Sequence, residues 1–179
     1  MKSARILIVE DEIIIAEHLA RNLIDLGFEV AAKVTTGEAA IDKAGELQPD
    51  LILMDIRLRG TMDGIEAGSK ISDKYGTPLI FITAYADDEL IERAKFVMPY
   101  GYLIKPIQKG ALKANVEMAL FAAKMNAHRG RVENELRDRE RWLQSTFQQA
   151  AVGIVHTDLE GRFKRANQRY CQMMGYTLE

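Results

Sequence analysis

Arg5-Ile6-Leu7-Ile8-Val9 is a largely apolar run that stops at Glu10-Asp11-Glu12, and Leu51-Ile52-Leu53-Met54 stops in the same way at Asp55. Two later runs repeat the pattern with different chemistry. Pro78-Leu79-Ile80-Phe81-Ile82 ends in Thr83-Ala84, and Tyr102-Leu103-Ile104 ends in Lys105-Pro106. Short continuous apolar runs separated by helix-patterned segments read as parallel strands buried on both faces. In such a sheet the C-terminal ends of the strands share one edge, where the connecting loops form a crevice. Glu10, Asp11, Asp55, Thr83 and Lys105 are therefore expected to meet there, although they are far apart in the chain.

The segments between the runs have helical spacing. Ile15, Ala16, Leu19, Ala20, Leu23 and Leu26 recur on one face, and Gly27 stands where a C-terminal cap is expected. Phe28 to Val34 forms a further strand, and Thr35 or Thr36 can cap a helix running to about Leu47. Asp63-Gly64 opens a helix through Ile65, Ala67, Gly68 and Ile71 that stops near Gly76. Asp87-Asp88-Glu89 opens another through Ile91, Ala94 and Phe96, and a fifth begins near Ile107. Five strand–helix units of this kind predict an α/β, doubly wound parallel sheet.

From about Lys109 to Gln149 there is no proline, and a long helix is expected, with Gly130 as a point of kinking or breakage. Val132, Leu136, Leu143 and Phe147 continue an apolar stripe along it. Acids and bases alternate from Arg129 to Arg141, which reads as a solvated helix face. Beyond it, Val152 to Thr157 and Arg162 to Arg165 read as two strands around an Asp158–Gly161 turn, with Asn167 capping a short helix.

Composition narrows the classes of function. The 179 residues suffice for one ordinary domain and part of another. A net charge of −2 provides no field for nucleic acid. The lone Cys171 excludes a disulfide framework and a cysteine-rich metal site within the chain. No apolar stretch approaches a membrane span, and the first apolar run ends at once in acids, unlike a signal peptide. A cytoplasmic protein without membrane contact is expected.

Taken singly, each edge residue has an ordinary reading: Asp11 as a helix cap, Asp55 in a turn, Thr83 closing a strand, Lys105 in solvent. Taken together they match phosphoryl chemistry. Hard carboxylate oxygens suit Mg²⁺, a carboxylate such as Asp55 can attack a phosphoryl group, and an ammonium such as Lys105 can balance the charge. A Gly/Ser-rich phosphate loop, as a nucleotide or flavin binder requires, is replaced here by Glu10-Asp11-Glu12. The Asp-x-Asp of haloacid-dehalogenase-type phosphatases is replaced by Asp55-Ile56-Arg57.

With ILIVEDE, LILMDIRLRGTMDG, LIFITAYAD and GYLIKP, residues 4–121 resemble the receiver domain of two-component response regulators. The resemblance implies a flavodoxin-like sheet of order 2-1-3-4-5. It also implies Asp55 as phosphoacceptor, and Glu10, Asp11, Asp55 and the backbone carbonyl of Arg57 as ligands of Mg²⁺. By the same likeness Lys105 binds phosphate, Thr83 and Tyr102 form the conformational switch, and Lys105-Pro106 is cis. The chain departs from the family between Asp55 and Asp63-Gly64. There Leu58-Arg59-Gly60-Thr61-Met62 is one residue longer than the usual loop and lacks its proline.

Residues from about Trp142 onward, including QQAAVGIVHTDLEGRFKRANQRYCQMMGY, resemble the start of a PAS sensor domain. The organisation expected is a receiver at 1–121, a linker helix at 122–142 and a truncated PAS-like segment at 143–179. The implied function is that of a phosphorelay response regulator, itself not an enzyme, that serves a sensor histidine kinase. It would form a homodimer through the linker helix. The alternative is a receiver–PAS fragment of a larger hybrid kinase or other signalling enzyme.

Overall fold

The structure, a computed structural model, describes residues 3–84 and 88–175. The Tyr85-Ala86-Asp87 part of the third motif, LIFITAYAD, lies outside the described residues, as do residues 176–179 and the side chains of Asp88, Glu89, Leu90 and Ile91. The elements follow in the order β1 (Arg5–Val9), α1 (Ile13–Asp25), β2 (Glu29–Val34), α2 (Gly37–Leu47), β3 (Leu51–Asp55), α3 (Gly64–Tyr75), β4 (Leu79–Thr83), α4 (Asp88–Lys95), β5 (Gly101–Ile104), α5 (Lys109–Gln149), β6 (Val155–Thr157), β7 (Phe163–Ala166) and α6 (Gln168–Met174). They fall into two compact units, residues 1–126 and 127–179.

In the first unit β1 to β5 form one parallel sheet of order 2-1-3-4-5, as the resemblance implied. Alternation along the strands explains why the runs are apolar throughout. Ile6, Ile8, Leu51, Leu53, Ile80, Ile82 and Leu103 face a layer made with α1 and α5, through Leu19, Leu23, Leu112 and Val116. Leu7, Val9, Ile52, Met54, Leu79 and Phe81 face the opposite layer, through Ala40, Ala44, Ile65, Ile71 and Ala94. Every residue of β3 is buried, so the central strand delivers its terminal Asp55 to the edge with its direction fixed by the core.

Helix ends follow the expected chemistry. Thr36 caps α2 by accepting from Ala39 N at 3.2 Å, and Asp63 caps α3 by accepting from Glu66 N at 2.8 Å. Gly27 and Gly76, at φ of 88° and 64°, take the left-handed turns that close α1 and α3. Two expectations shift. Helix α5 begins at Lys109 rather than near Ile107, and α4 ends at Lys95, which leaves Phe96 in a turn and 89% exposed. The left-handed Met98, at φ 51°, marks the departure of the chain toward β5. Helix α5 is not broken at Gly130, where alanine, arginine and glutamate on either side favour helix.

In the second unit β6 and β7 form an antiparallel pair, with Val155 opposite Ala166 and His156 opposite Arg165. The turn is held by Asp158, whose Oδ1 accepts from Glu160 N at 3.1 Å and Arg162 N at 2.9 Å. Asn167 is fully buried and caps α6 by accepting from Tyr170 N at 2.9 Å. Phe147, on the apolar stripe of α5, finds partners within this unit. Its ring packs 5.4 Å from that of His156 and carries the Arg165 guanidinium at 5.0 Å.

Candidate functional site at the edge of the parallel sheet

The strand register dictates which side chains meet. Ile8 pairs with Leu53 and Val9 with Met54, so the next step along the parallel ladder sets Glu10 beside Asp55. Both continue the α1/α5 face of their strands, as does Lys105, two residues beyond Leu103. Lys105 reaches across β4 to the carboxylates of β1 and β3. Its Nζ donates to Asp55 Oδ2 at 2.6 Å and to Glu10 Oε1 at 3.0 Å. The second Asp55 oxygen accepts from Arg57 N at 3.0 Å, so both oxygens are held and the carboxylate is oriented. The Lys105-Pro106 bond is cis.

Glu10 is fully buried and Asp55 is 5% exposed. Burial is the main reason the Glu10 carboxyl is raised from 4.5 to about 7, with Lys105 pulling it down and the Asp55 charge pushing it up. Lys105 responds to the same pair. Burial alone would lower it, but hydrogen bonds to Asp55 and Glu10 outweigh that and hold the ammonium above its ordinary range. Glu10 Oε2 lies 2.9 Å from Lys105 Nζ, close enough for charge attraction but misaligned for a hydrogen bond. That oxygen is buried with no hydrogen-bond partner among the described residues.

Glu10, Asp11 and Asp55 each present an oxygen, all within 4.8 Å of one another. An unsatisfied buried carboxylate oxygen and three converging hard ligands fit a small divalent cation of the Mg²⁺ class. The cleft beside them has a volume of about 280 Å³ and is lined by Asp11, Glu12, Asp55, Ile56, Arg57, Arg59, Thr83, Ala84 and Lys105. The structure therefore brings Glu10, Asp11, Asp55 and Lys105 together and sets Thr83 and Arg57 at the cleft wall. Thr83 is 2% exposed, and its hydroxyl donates to Ala84 O at 3.1 Å.

Tyr102 does not line this cleft. It sits opposite Phe81 in the β4–β5 ladder, with ring centroids 6.2 Å apart, on the α2/α3/α4 side of the sheet. Thr83 follows Phe81 by two residues and shares that face. The Tyr102 hydroxyl is buried without a hydrogen-bond partner among the described residues. Burial chiefly raises its pKa, with Lys95 opposing and Glu92 adding.

Sequence reading missed two contributors. Asp63-Gly64 does cap α3, but a Cβ on Gly64 would lie 1.9 Å from the Asp55 carbonyl oxygen, so only glycine lets α3 start against the end of β3. A motif of this kind signals close approach only once its contact is known. The other contributor is Arg59, whose Nε lies 2.9 Å from Asp11 Oδ2.

A five-stranded parallel sheet with this acid–lysine edge defines a class, and the comparisons agree with it. The model of the response regulator receiver domain family matches residues 6–117, and a PAS domain model matches residues 141–179. The chain belongs to the response regulator receiver family. It is 35% identical over 116 residues to the transcriptional regulatory protein PdtaR of Mycobacterium tuberculosis, covering 65% of this chain and 56% of that protein. The chain thus spans about half the length of the transcriptional regulators it matches.

Among solved structures, the signal receiver domain of a modulated diguanylate cyclase from Desulfovibrio desulfuricans superposes with a TM-score of 0.67 at 38% identity, covering 70% of this chain and 99% of that one. The N-terminal domain of a response regulator/sensory box/GGDEF 3-domain protein from Carboxydothermus hydrogenoformans gives 0.65 at 39%, covering 69% and 99%. No helix among the described residues is long and apolar enough to cross a membrane.

Proposed function

We propose that the chain is the phospho-accepting switch of a phosphorelay, charged on Asp55 by a sensor histidine kinase. The observation that carries this reading is the pairing of Lys105 with both Asp55 and Glu10 at the sheet edge. An Asp55 oxygen attacks the phosphorus of a phosphohistidine. The P–O bond forms as the P–N bond breaks, and the electron pair leaves with the imidazole nitrogen. Asp55 is the buried carboxylate whose two oxygens are already aimed by Arg57 N and Lys105 Nζ. Lys105 then pairs with the transferred phosphoryl oxygens.

Glu10, Asp11, Asp55 and the Arg57 carbonyl would hold Mg²⁺, which supplies charge neutralisation for the phosphoryl group. The Thr83 hydroxyl is free to leave the Ala84 carbonyl for a phosphoryl oxygen. Tyr102, on the same face, then repacks, shifting the population between two arrangements of the β4–β5 face. The chain changes its own covalent state and turns over no substrate, so it is a switch and not an enzyme. Its setting is cytoplasmic, and its linker helix joins two copies.

A second reading has support of its own. Two similar receivers come from proteins described as a modulated diguanylate cyclase and a response regulator/sensory box/GGDEF 3-domain protein. By analogy this receiver and its PAS-like segment would regulate a larger signalling enzyme, and the reading frame after Glu179 discriminates the two. Acetyl phosphate with Mg²⁺, followed by intact mass, tests the switch. One phosphoryl group should add to the wild type, Asp11→Ala should suppress the addition and Asp55→Asn should abolish it. Undiminished labelling of Asp55→Asn sinks the assignment.

A further inference from the structure

The loop that departs from the family pattern contributes Arg59 to the wall of the acidic cleft. Leu58 and Met62 pack half-buried against the core at its two ends. Thr61 Oγ1 donates to Glu38 Oε1 at 2.5 Å, which fastens the loop to the start of α2 and holds the Glu38 carboxyl below its usual range. Between these anchors Gly60 takes φ 138°, a conformation side chains rarely adopt. Arg59 stays largely exposed at the cleft wall, and its Nε pairs with Asp11 Oδ2 at 2.9 Å.

We infer that Arg59 is a built-in counter-ion that competes with the divalent cation for Asp11 and so sets how much cation the switch requires. The inference rests on the reading of Glu10, Asp11 and Asp55 as cation ligands. Lys105 is committed to Glu10 and Asp55, and Asp11 is paired with Arg59. A dication held by Asp11 would lie within several ångströms of the guanidinium, and like charges at that separation repel. Movement of one cation relieves that repulsion. Arg59 can move at little cost, because 86% of its side chain is exposed whereas Asp11 is 12% exposed. An ion pair with one solvated partner is weak, so the competition is a graded bias and not a lock.

Calorimetric titration of the full chain with MgCl₂ at low ionic strength measures this. Arg59→Ala should bind Mg²⁺ about fivefold more tightly than wild type, and the difference should shrink as salt screens the pair. In EDTA, Arg59→Ala should melt below wild type, and saturating Mg²⁺ should bring the two melting temperatures together. In an Asp11→Asn background, removing Arg59 should change neither melting temperature. Equal or weaker Mg²⁺ binding by Arg59→Ala overturns the counter-ion role while leaving the acidic cleft as the cation site. A melting temperature that saturating MgCl₂ raises in neither protein removes the cation-site reading and the counter-ion with it.

Discussion

The two units of this chain are held together in opposite ways. The receiver unit is organised by apolar layers on both sides of a sheet, and its buried polar residues among those described, Glu10, Asp55 and Thr83, collect at one edge. In the second unit Asn167 and Cys171 are the buried residues among those described, and a single amide does much of the joining. The Asn167 side chain donates to Phe147 O at 3.0 Å and Val152 O at 2.9 Å, and accepts from Ile154 N at 2.8 Å and Tyr170 N. A thick core can support an unfavourable cluster of charges, and that support is what a reactive carboxylate needs. A hairpin stapled by one side chain has little such reserve.

Substitutions in the two units sharpen the contrast. Leu53→Ala, in the middle of β3, should destabilise the receiver unit by roughly 3 kcal/mol, read by urea unfolding. Asn167→Ala should cost roughly 2 kcal/mol by leaving backbone groups of the second unit unpaired. Its effect should be confined, with faster amide exchange at Ile154 and Tyr170 and unchanged protection in β1 and β3. Loss of protection in the receiver strands would break the contrast.

Next in size is the pH response of the acidic edge. The Glu10 carboxyl is raised from 4.5 to about 7, so folding favours its protonated form. That contribution is complete below about pH 4.5 and is lost as the pH rises through about 7. In EDTA, Glu10→Gln should escape the loss and exceed wild type at pH 8 by roughly 1–2 kcal/mol, with little difference at pH 4. An advantage that is constant with pH contradicts the burial account.

The smallest stability effect is expected on the exposed part of α5. Leu136→Ala, at a site 57% exposed, should change stability by less than about 0.5 kcal/mol. If Val132, Leu136 and Leu143 form the proposed contact between copies, the same change should shift light scattering from dimer to monomer. An unchanged mass would remove that face from the assembly.

Legibility in the sequence follows the same division. Strands buried on both faces read as unbroken apolar runs, and a parallel sheet converts their ends into neighbours, so Glu10, Asp55 and Lys105 were foreseeable. Contacts made by loops were not. Nothing in the spacing of Arg59 shows that it pairs with Asp11, and Gly64 looks like any helix start until the Asp55 carbonyl is seen beneath it. Phe147 fits a helical stripe, yet its ring serves His156 and Arg165, residues that periodicity within α5 does not include.

The central claim is that the core of the first unit presents Asp55 as the one reactive carboxylate. The direct measurement treats the chain with acetyl phosphate and Mg²⁺, reduces the acyl phosphate with borohydride and maps the product by tandem mass spectrometry. An acyl phosphate on a carboxylate is reduced to the alcohol, so the tag marks the carboxylate that was phosphorylated. The account predicts reduction at position 55 alone, and a tag at Glu10, Asp11 or Asp63, or none on a correctly folded chain, would contradict it.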